Sequence, residues 1–213
     1  MNESIRSALR SAGLLLTYAI IGSGVLAFVY DATHLAIQKN EDDARRKLVA
    51  ETLVRGSYNN DLLSNQFILP ADPLLDNDGP SSLGWQAREN NQPVAVVLEA
   101  TAPDGYGGKI NLLVGIGADG RITGVRVVEH HETPGLGDYI ELAKSSWIRI
   151  FDGKSLQQPD TTGWQVKKDG GQFDYMTGAT ITPRAVIKAV HHALQYAALH
   201  HQLLFSTHPG VRS

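Results

Sequence analysis

The stretch Lys109–Glu129, KINLLVGIGADGRITGVRVVE, decides the fold. Two apolar, β-branched runs, Lys109–Ile116 and Arg121–Glu129, flank Ala118-Asp119-Gly120. Asp-Gly between such runs signals a hairpin, because glycine adopts the left-handed backbone that a tight turn needs. Upstream, Val94–Thr101 (VAVVLEAT) has the same character and closes at Pro103-Asp104-Gly105, so three successive antiparallel strands are expected. Downstream, Thr182 to about Phe205 carries Ala185, Val186, Ala189, Val190, Ala193 and Leu194 at i, i+3, i+4 spacing, one apolar face of a helix. A shorter helix is expected over Asp138–Ile150, with Ile140, Leu142, Ala143 and Trp147 inward. A second hairpin is expected to pair Trp164–Lys168 with Gln172–Met176 across Asp169-Gly170-Gly171. Strands followed by helices, without βαβ alternation, define an α+β fold: an antiparallel sheet with flanking helices.

Ahead of this lies Ala12–Tyr30, AGLLLTYAIIGSGVLAFVY, 19 residues without a charge. At the rise of an α-helix it spans about 28 Å, close to the hydrocarbon core of a bilayer. A cleaved signal peptide is the rival reading. The run exceeds the usual apolar length of one, and Phe28, Val29, Tyr30 and Asp31 offer no small-residue cleavage site. An uncleaved single-pass transmembrane helix over 12–30 is the expectation. Arg6 and Arg10 against Glu3 keep residues 1–11 cytoplasmic and send the main domain across; Lys39 and Arg45-Arg46-Lys47 weaken that bias. Asp31 to about Arg55 reads as helix, with Leu48, Val49 and Leu53 on an apolar side. From Gly56 the chain is punctuated by Gly, Pro, Asn and Asp, the mark of an irregular connector. The expected organisation is an N-terminus 1–11, a transmembrane helix 12–30, a helix and connector 31–92, a folded domain 93–205 and a tail 206–213.

Composition removes several functions. With 213 residues, 19 Lys plus Arg, 22 Asp plus Glu and net charge −3, the chain lacks the basic excess of a nucleic-acid reader, and no nucleic-acid partner is expected. The absence of cysteine excludes disulfides, thiolate nucleophiles and Cys-ligated clusters. No Ser-His-Asp order or carboxylate pair stands out, so no catalytic residue is assigned.

Two motifs carry the chemistry. In Asp174–Arg184, DYMTGATITPR, Thr182-Pro183 reads as a helix start, with Thr182 as cap and Pro183 in the first turn. Free N–H groups and the dipole at such a start favour an anion. Gly178 and Ala179 keep the approach open, and Thr177 and Thr180 present hydroxyls. The residues alone admit two readings, a phosphate seat and a plain strand-to-helix turn. In His130–Gly137, HHETPGLG, Pro134 stiffens the chain while Gly135 and Gly137 bare the backbone on both sides of Leu136. Such a loop can lie flat on a planar ligand or simply end a strand. His130, His131 and Glu132 alternate faces on a strand, and the pairs His191-His192 and His200-His201 lack the i, i+4 spacing of a helical metal site. These histidines are expected to be solvated, with no metal bound. GYGG at 105–108 is glycine-rich but lacks the Lys-Ser/Thr of a nucleotide loop.

YNNDLL at 58–63, GYGGKI at 105–110, HHETPGLGD at 130–138 and WQVKKDGGQFDYMTGATIT at 164–182 occur in this order behind the apolar helix. In this the chain closely resembles the G-subunit family of the Rnf (Rsx) ion-translocating electron-transport complexes. It is more distantly similar to the C subunits of sodium-pumping NADH:quinone reductases. The resemblance implies that 93–205 is an FMN-binding domain, with FMN joined covalently through its phosphate to Thr180. It implies that a separate flavin transferase recognises Asp174, Thr177, Gly178, Ala179 and Thr180. It further implies that Glu132, Thr133, Gly135, Leu136 and Gly137, with Thr177, Gly178 and Ala179, border the flavin. The implied setting is the bacterial inner membrane with a periplasmic main domain. The implied partners are the other members of the complex, the transferase and the lipid bilayer. The implied role is electron relay, with little turnover by the chain alone. The alternative is a membrane-anchored module that holds a phosphorylated ligand reversibly, or a structural subunit.

Overall fold

Among the residues that the computed structural model describes, 3–75 and 81–207, five antiparallel strands lie in chain order across one sheet. They are β1 (Gln66–Pro70), β2 (Ser81–Glu89), β3 (Gln92–Ala102), β4 (Ile110–Gly117) and β5 (Ile122–Glu129). The helices are α1 (Glu3–Glu51), α2 (Ile181–Leu199) and the single turn α3 (His201–Leu204). The expected α+β class stands. The last six residues of the expected 206–213 tail, and residues 76–80 of the connector, lie outside the described residues.

The chain divides into two compact units, residues 1–45 and 46–213. In the first, Arg10–His34 is helical, 25 residues long and unburied, apolar and long enough to cross a membrane. The segment expected as helix from Asp31 to about Arg55 is helical as far as Glu51, where it ends α1 as an unbroken continuation of it. No Gly or Pro stands between Asp31 and Glu51 to interrupt it.

In the second unit the sheet is covered on both faces. On one side Val96, Leu98, Leu112, Val114 and Ile116 pack with Val186, Val190 and Leu194 of α2. On the other, Val97, Leu113 and Trp85 pack with Val49 near the end of α1 and Leu53 just beyond it. Adjacent residues such as Val96 and Val97 thus enter different cores, as the period of two requires. Gly115 faces Gly124 across β4 and β5. The missing side chains admit the backbone of Thr52, since a Cβ at Gly115 would run into the Thr52 carbonyl oxygen.

Three expectations are corrected. The connector is not irregular throughout, because it supplies β1 and β2. Asp138–Ile150 is not one helix; it holds 3-10 turns at Asp138–Ile140 and Trp147–Phe151. Tyr139, Ile140, Trp147, Ile148 and Phe151 are buried on this different backbone, while Leu142 is only half-buried and Ala143, expected inward, is exposed because no continuous helix carries it to the inner side. The second hairpin is also absent. Lys167–Asp169 forms a 3-10 turn, and Val166 and Phe173 meet only in an isolated parallel bridge. Gly171 sits too close to Gln165 for a regular ladder, leaving no room for a Cβ beside the Gln165 carbonyl.

Candidate functional site

A cavity of about 290 Å³ opens where the 105–108 loop, the 130–137 loop and the start of α2 converge. Glu132, Thr133, Leu136, Gly137, Gly178, Ala179 and Thr180 line it, together with Tyr106, Ile181 and Thr182. Its size is at the lower edge of small-molecule sites, roughly 300–1,000 Å³. Gly135, Thr177 and Asp174 do not line the cavity; Asp174 is exposed and paired with Lys167 at 2.6 Å.

Local chemistry explains the shape. Gly135, at φ +76°, turns the 133–137 segment back on itself, with the Gly137 amide donating to the Thr133 carbonyl at 2.9 Å. The Asp138 carboxylate accepts from the Gly135 amide at 2.8 Å. The turn leaves Leu136 about half exposed at the cavity rim. Opposite, Gly178, at φ +94°, reverses the chain, and Met176 and Ala179 form a bridge. The Trp147 indole holds the loop by donating to the Asp174 carbonyl at 2.7 Å.

The helix starts two residues earlier than the Thr182 cap predicts, with Thr180 at the cap position and Ile181 as its first residue. Thr180 makes no side-chain cap, so the first-turn amides of α2, beside the cavity that Thr180, Ile181 and Thr182 line, take no partner from it. Thr182 is therefore not the cap. It is buried, and its hydroxyl donates to Glu132 Oε2. Glu132 Oε1 accepts the Gly107 amide at 2.9 Å. Burial raises the Tyr139 phenol above its usual range, and the Glu132 charge pushes the same way. Tyr139 thus stays protonated and reaches the Ala179 carbonyl at 3.4 Å.

The histidines are not simply solvated. His130 Nδ1 accepts the Glu132 amide at 3.0 Å, leaving Nε2 to donate to Glu141 Oε1 at 2.8 Å. His191 stacks on Trp164 with ring centroids 5.0 Å apart, and His200 stacks on Tyr196 at 4.2 Å. Among the described residues, no group of three His, Asp or Glu side chains could hold a metal ion.

Two lining residues escape a reading of the sequence. Tyr106 sits in GYGG, whose lack of a following Lys-Ser/Thr argues against a nucleotide loop. Ile181 is hidden when the helix start is placed at Thr182. The available signal for Tyr106 is the glycine on each side of an aromatic.

An uncapped helix start, two glycine-bared loops and an apolar rim form a seat around one cavity. Comparison with known proteins gives that seat a class. A family model described as the FMN-binding domain matches residues 105–195, which contain every lining residue. A second model, the RnfG N-terminal region, matches residues 1–51. The chain is thus an FMN-binding-domain protein behind one helix able to span a membrane.

The G subunit of the ion-translocating oxidoreductase complex of Pseudomonas aeruginosa is 53% identical over 191 residues, 90% of this chain and 89% of the relative. That of Pseudoalteromonas atlantica is 42% identical over 202 residues, 94% of each chain. That of Escherichia coli O157:H7 is 45% identical over 190 residues, 89% of this chain and 91% of the relative. The chain belongs to the family of G subunits of ion-translocating oxidoreductase complexes.

Proposed function

We propose that the chain is the flavin-carrying member of an ion-translocating oxidoreductase complex and relays electrons through FMN joined by a phosphodiester to Thr180. The family supplies the complex and the matched domain supplies the cofactor. One observation supports the attachment residue, the contrast among the three hydroxyls of the 174–184 motif. Thr182 is buried and committed to Glu132. Thr177 is exposed and does not line the cavity. Thr180 lines the cavity at the uncapped start of α2. A phosphodiester retains a negative charge, which the orphan amides and dipole of α2 favour.

The seat fits the rest of the cofactor. Leu136, Ile181 and Tyr106 give an exposed apolar rim, 48%, 45% and 68% accessible, against which a ring system can lie. Gly137 and Gly178 keep side chains out of its way. FMN supplies one- and two-electron redox chemistry, and the protein contributes binding, orientation and electrostatics. Glu132, Thr133, Gly135, Leu136, Gly137, Thr177, Gly178 and Ala179 surround it in this reading. A flavin transferase recognises Asp174 with Thr177, Gly178, Ala179 and Thr180. The 12–30 segment anchors the chain in the bacterial inner membrane, with residues 1–11 cytoplasmic and the FMN domain periplasmic.

Intact mass of the denatured, full-length protein, co-expressed with a flavin transferase, tests the reading beside a Thr180→Ala variant. An FMN-sized addition in the parent alone is expected. Flavin lost on denaturation would establish reversible binding in its place, and an adduct persisting in Thr180→Ala would move the attachment to another residue.

A further inference from the structure

We infer that Glu132, which borders the flavin in the reading above, acts as a positioning residue. It braces the start of α2 against the 105–108 loop and keeps a fixed negative charge in the cavity wall. The inference rests on the FMN reading above for its redox consequence, and on contacts within the chain for the rest.

Glu132 is 4% exposed. Each carboxylate oxygen has its own protein donor, the Gly107 amide on Oε1 and the Thr182 hydroxyl on Oε2. Its backbone amide is tied to His130 Nδ1. One side chain therefore joins three segments that line the cavity, and two of them have no regular secondary structure to hold them. The surrounding glycines fit this arrangement. A Cβ at Gly105 would come within 2.8 Å of Glu132 Oε1, and one at Gly137 within 2.8 Å of Oε2. The carboxylate fills the room that side chains at those positions would take.

Two consequences follow. Thr182 stands two residues beyond Thr180, so the bond from Glu132 fixes the first turn of α2 and with it the residue to be modified. The carboxylate is also a charge that cannot swing away, because both oxygens are engaged. A fixed negative charge beside a redox ring disfavours the electron-rich reduced form and holds the potential down. The same charge helps to raise the Tyr139 phenol.

The test uses the full-length protein and the variants Glu132→Gln, Glu132→Ala and Thr182→Val. Three quantities are read: the melt of flavin-free protein with amide exchange at Gly107, the initial rate of transferase modification by intact mass, and the flavin midpoint potential. Glutamine retains an acceptor for Gly107 and a partner for Thr182, so its modification rate stays near the parent's while the potential moves positive. Glu132→Ala and Thr182→Val are modified several-fold more slowly. Thr182→Val keeps the charge and leaves the potential in place. Gly107 exchange accelerates in Glu132→Ala.

Parent rates in both Glu132→Ala and Thr182→Val overturn the brace, and an unchanged potential in Glu132→Gln overturns the charge. Should Glu132→Ala fail to fold, the other two variants decide. Should the parent itself carry no FMN on Thr180, the FMN reading fails separately. The brace is then judged on the melts, where Glu132→Gln must lie above Thr182→Val, and the reverse order overturns it.

Discussion

The Thr123 hydroxyl donates to the Thr52 carbonyl at 2.6 Å, joining β5 to the first residue beyond α1. This contact lies over the Gly115–Gly124 pair, where the sheet lacks side chains and Thr52 is fully buried. The buried carbonyl at a helix end thus gains a partner that the helix cannot supply. Arg126 adds an ion pair to Glu51 at 3.2 Å beside it.

That junction makes the first prediction. Gly115→Ala would drive a Cβ into the Thr52 oxygen and to 2.5 Å from the Thr123 hydroxyl. Overpacking of this kind costs about 1–3 kcal/mol. Thr123→Val, which only leaves the carbonyl without its donor, costs roughly 1 kcal/mol. Urea melts of the two variants should fall in that order, and a neutral Gly115→Ala would refute the tight contact.

The proposed recognition by a flavin transferase can be separated from folding. The Asp174 side chain is 67% exposed and its pair with Lys167 lies at the surface, where ion pairs contribute little. Asp174→Ala should melt with the parent yet gain FMN far more slowly in the mass assay. Equal rates would remove Asp174 from the recognition motif.

His191 sets a pH dependence. Burial against Trp164 lowers its pKa from the ordinary value, and neighbouring His192 lowers it further. The folded state then binds fewer protons than the unfolded one between the lowered value and about 6.5. Its stability contribution is complete above that window and declines as pH falls through it. Thermal melts should lose stability across this range, and His191→Phe, which keeps a ring against Trp164, should flatten the slope. An unchanged slope in that variant would assign the effect elsewhere.

Orientation has a direct assay because the chain has no cysteine. Ser4→Cys and Gln157→Cys give single reporters for a membrane-impermeant maleimide applied to intact spheroplasts. Labelling at position 157 alone is the expected result. Labelling at position 4 alone would reverse the topology.

Some parts of this molecule are legible in its sequence and others are hidden for identifiable reasons. Asp119-Gly120 announces the β4–β5 hairpin, and every residue of the predicted apolar face of α2, from Ala185 to Leu194, is buried. The two loops that meet at the cavity both stand out by their motifs. β2 escapes because Ser82, Gly84, Trp85, Gln86 and Ala87 are all buried, so no polar alternation marks the strand. Gln86 satisfies its buried amide by donating to the carbonyls of Leu204 and Ser206, partners more than a hundred residues away. Window-based reading has no access to such a contact. The role of Thr182 is hidden for the same reason: a Thr-Pro pair looks like a local cap, while its hydroxyl is committed to Glu132, 50 residues upstream.

The chain-order sheet has a consequence for biogenesis. Every strand pairs only with the strand made just before or after it, so the sheet can grow as the polypeptide emerges, without waiting for distant partners. Thr180 is made after all five strands, at the head of the helix that closes over β3 and β4. The proposed attachment residue therefore takes its place beside the cavity only after every strand of the sheet has been made. A maturation enzyme that reads this folded corner would act as a checkpoint, loading finished molecules and passing over nascent or truncated ones.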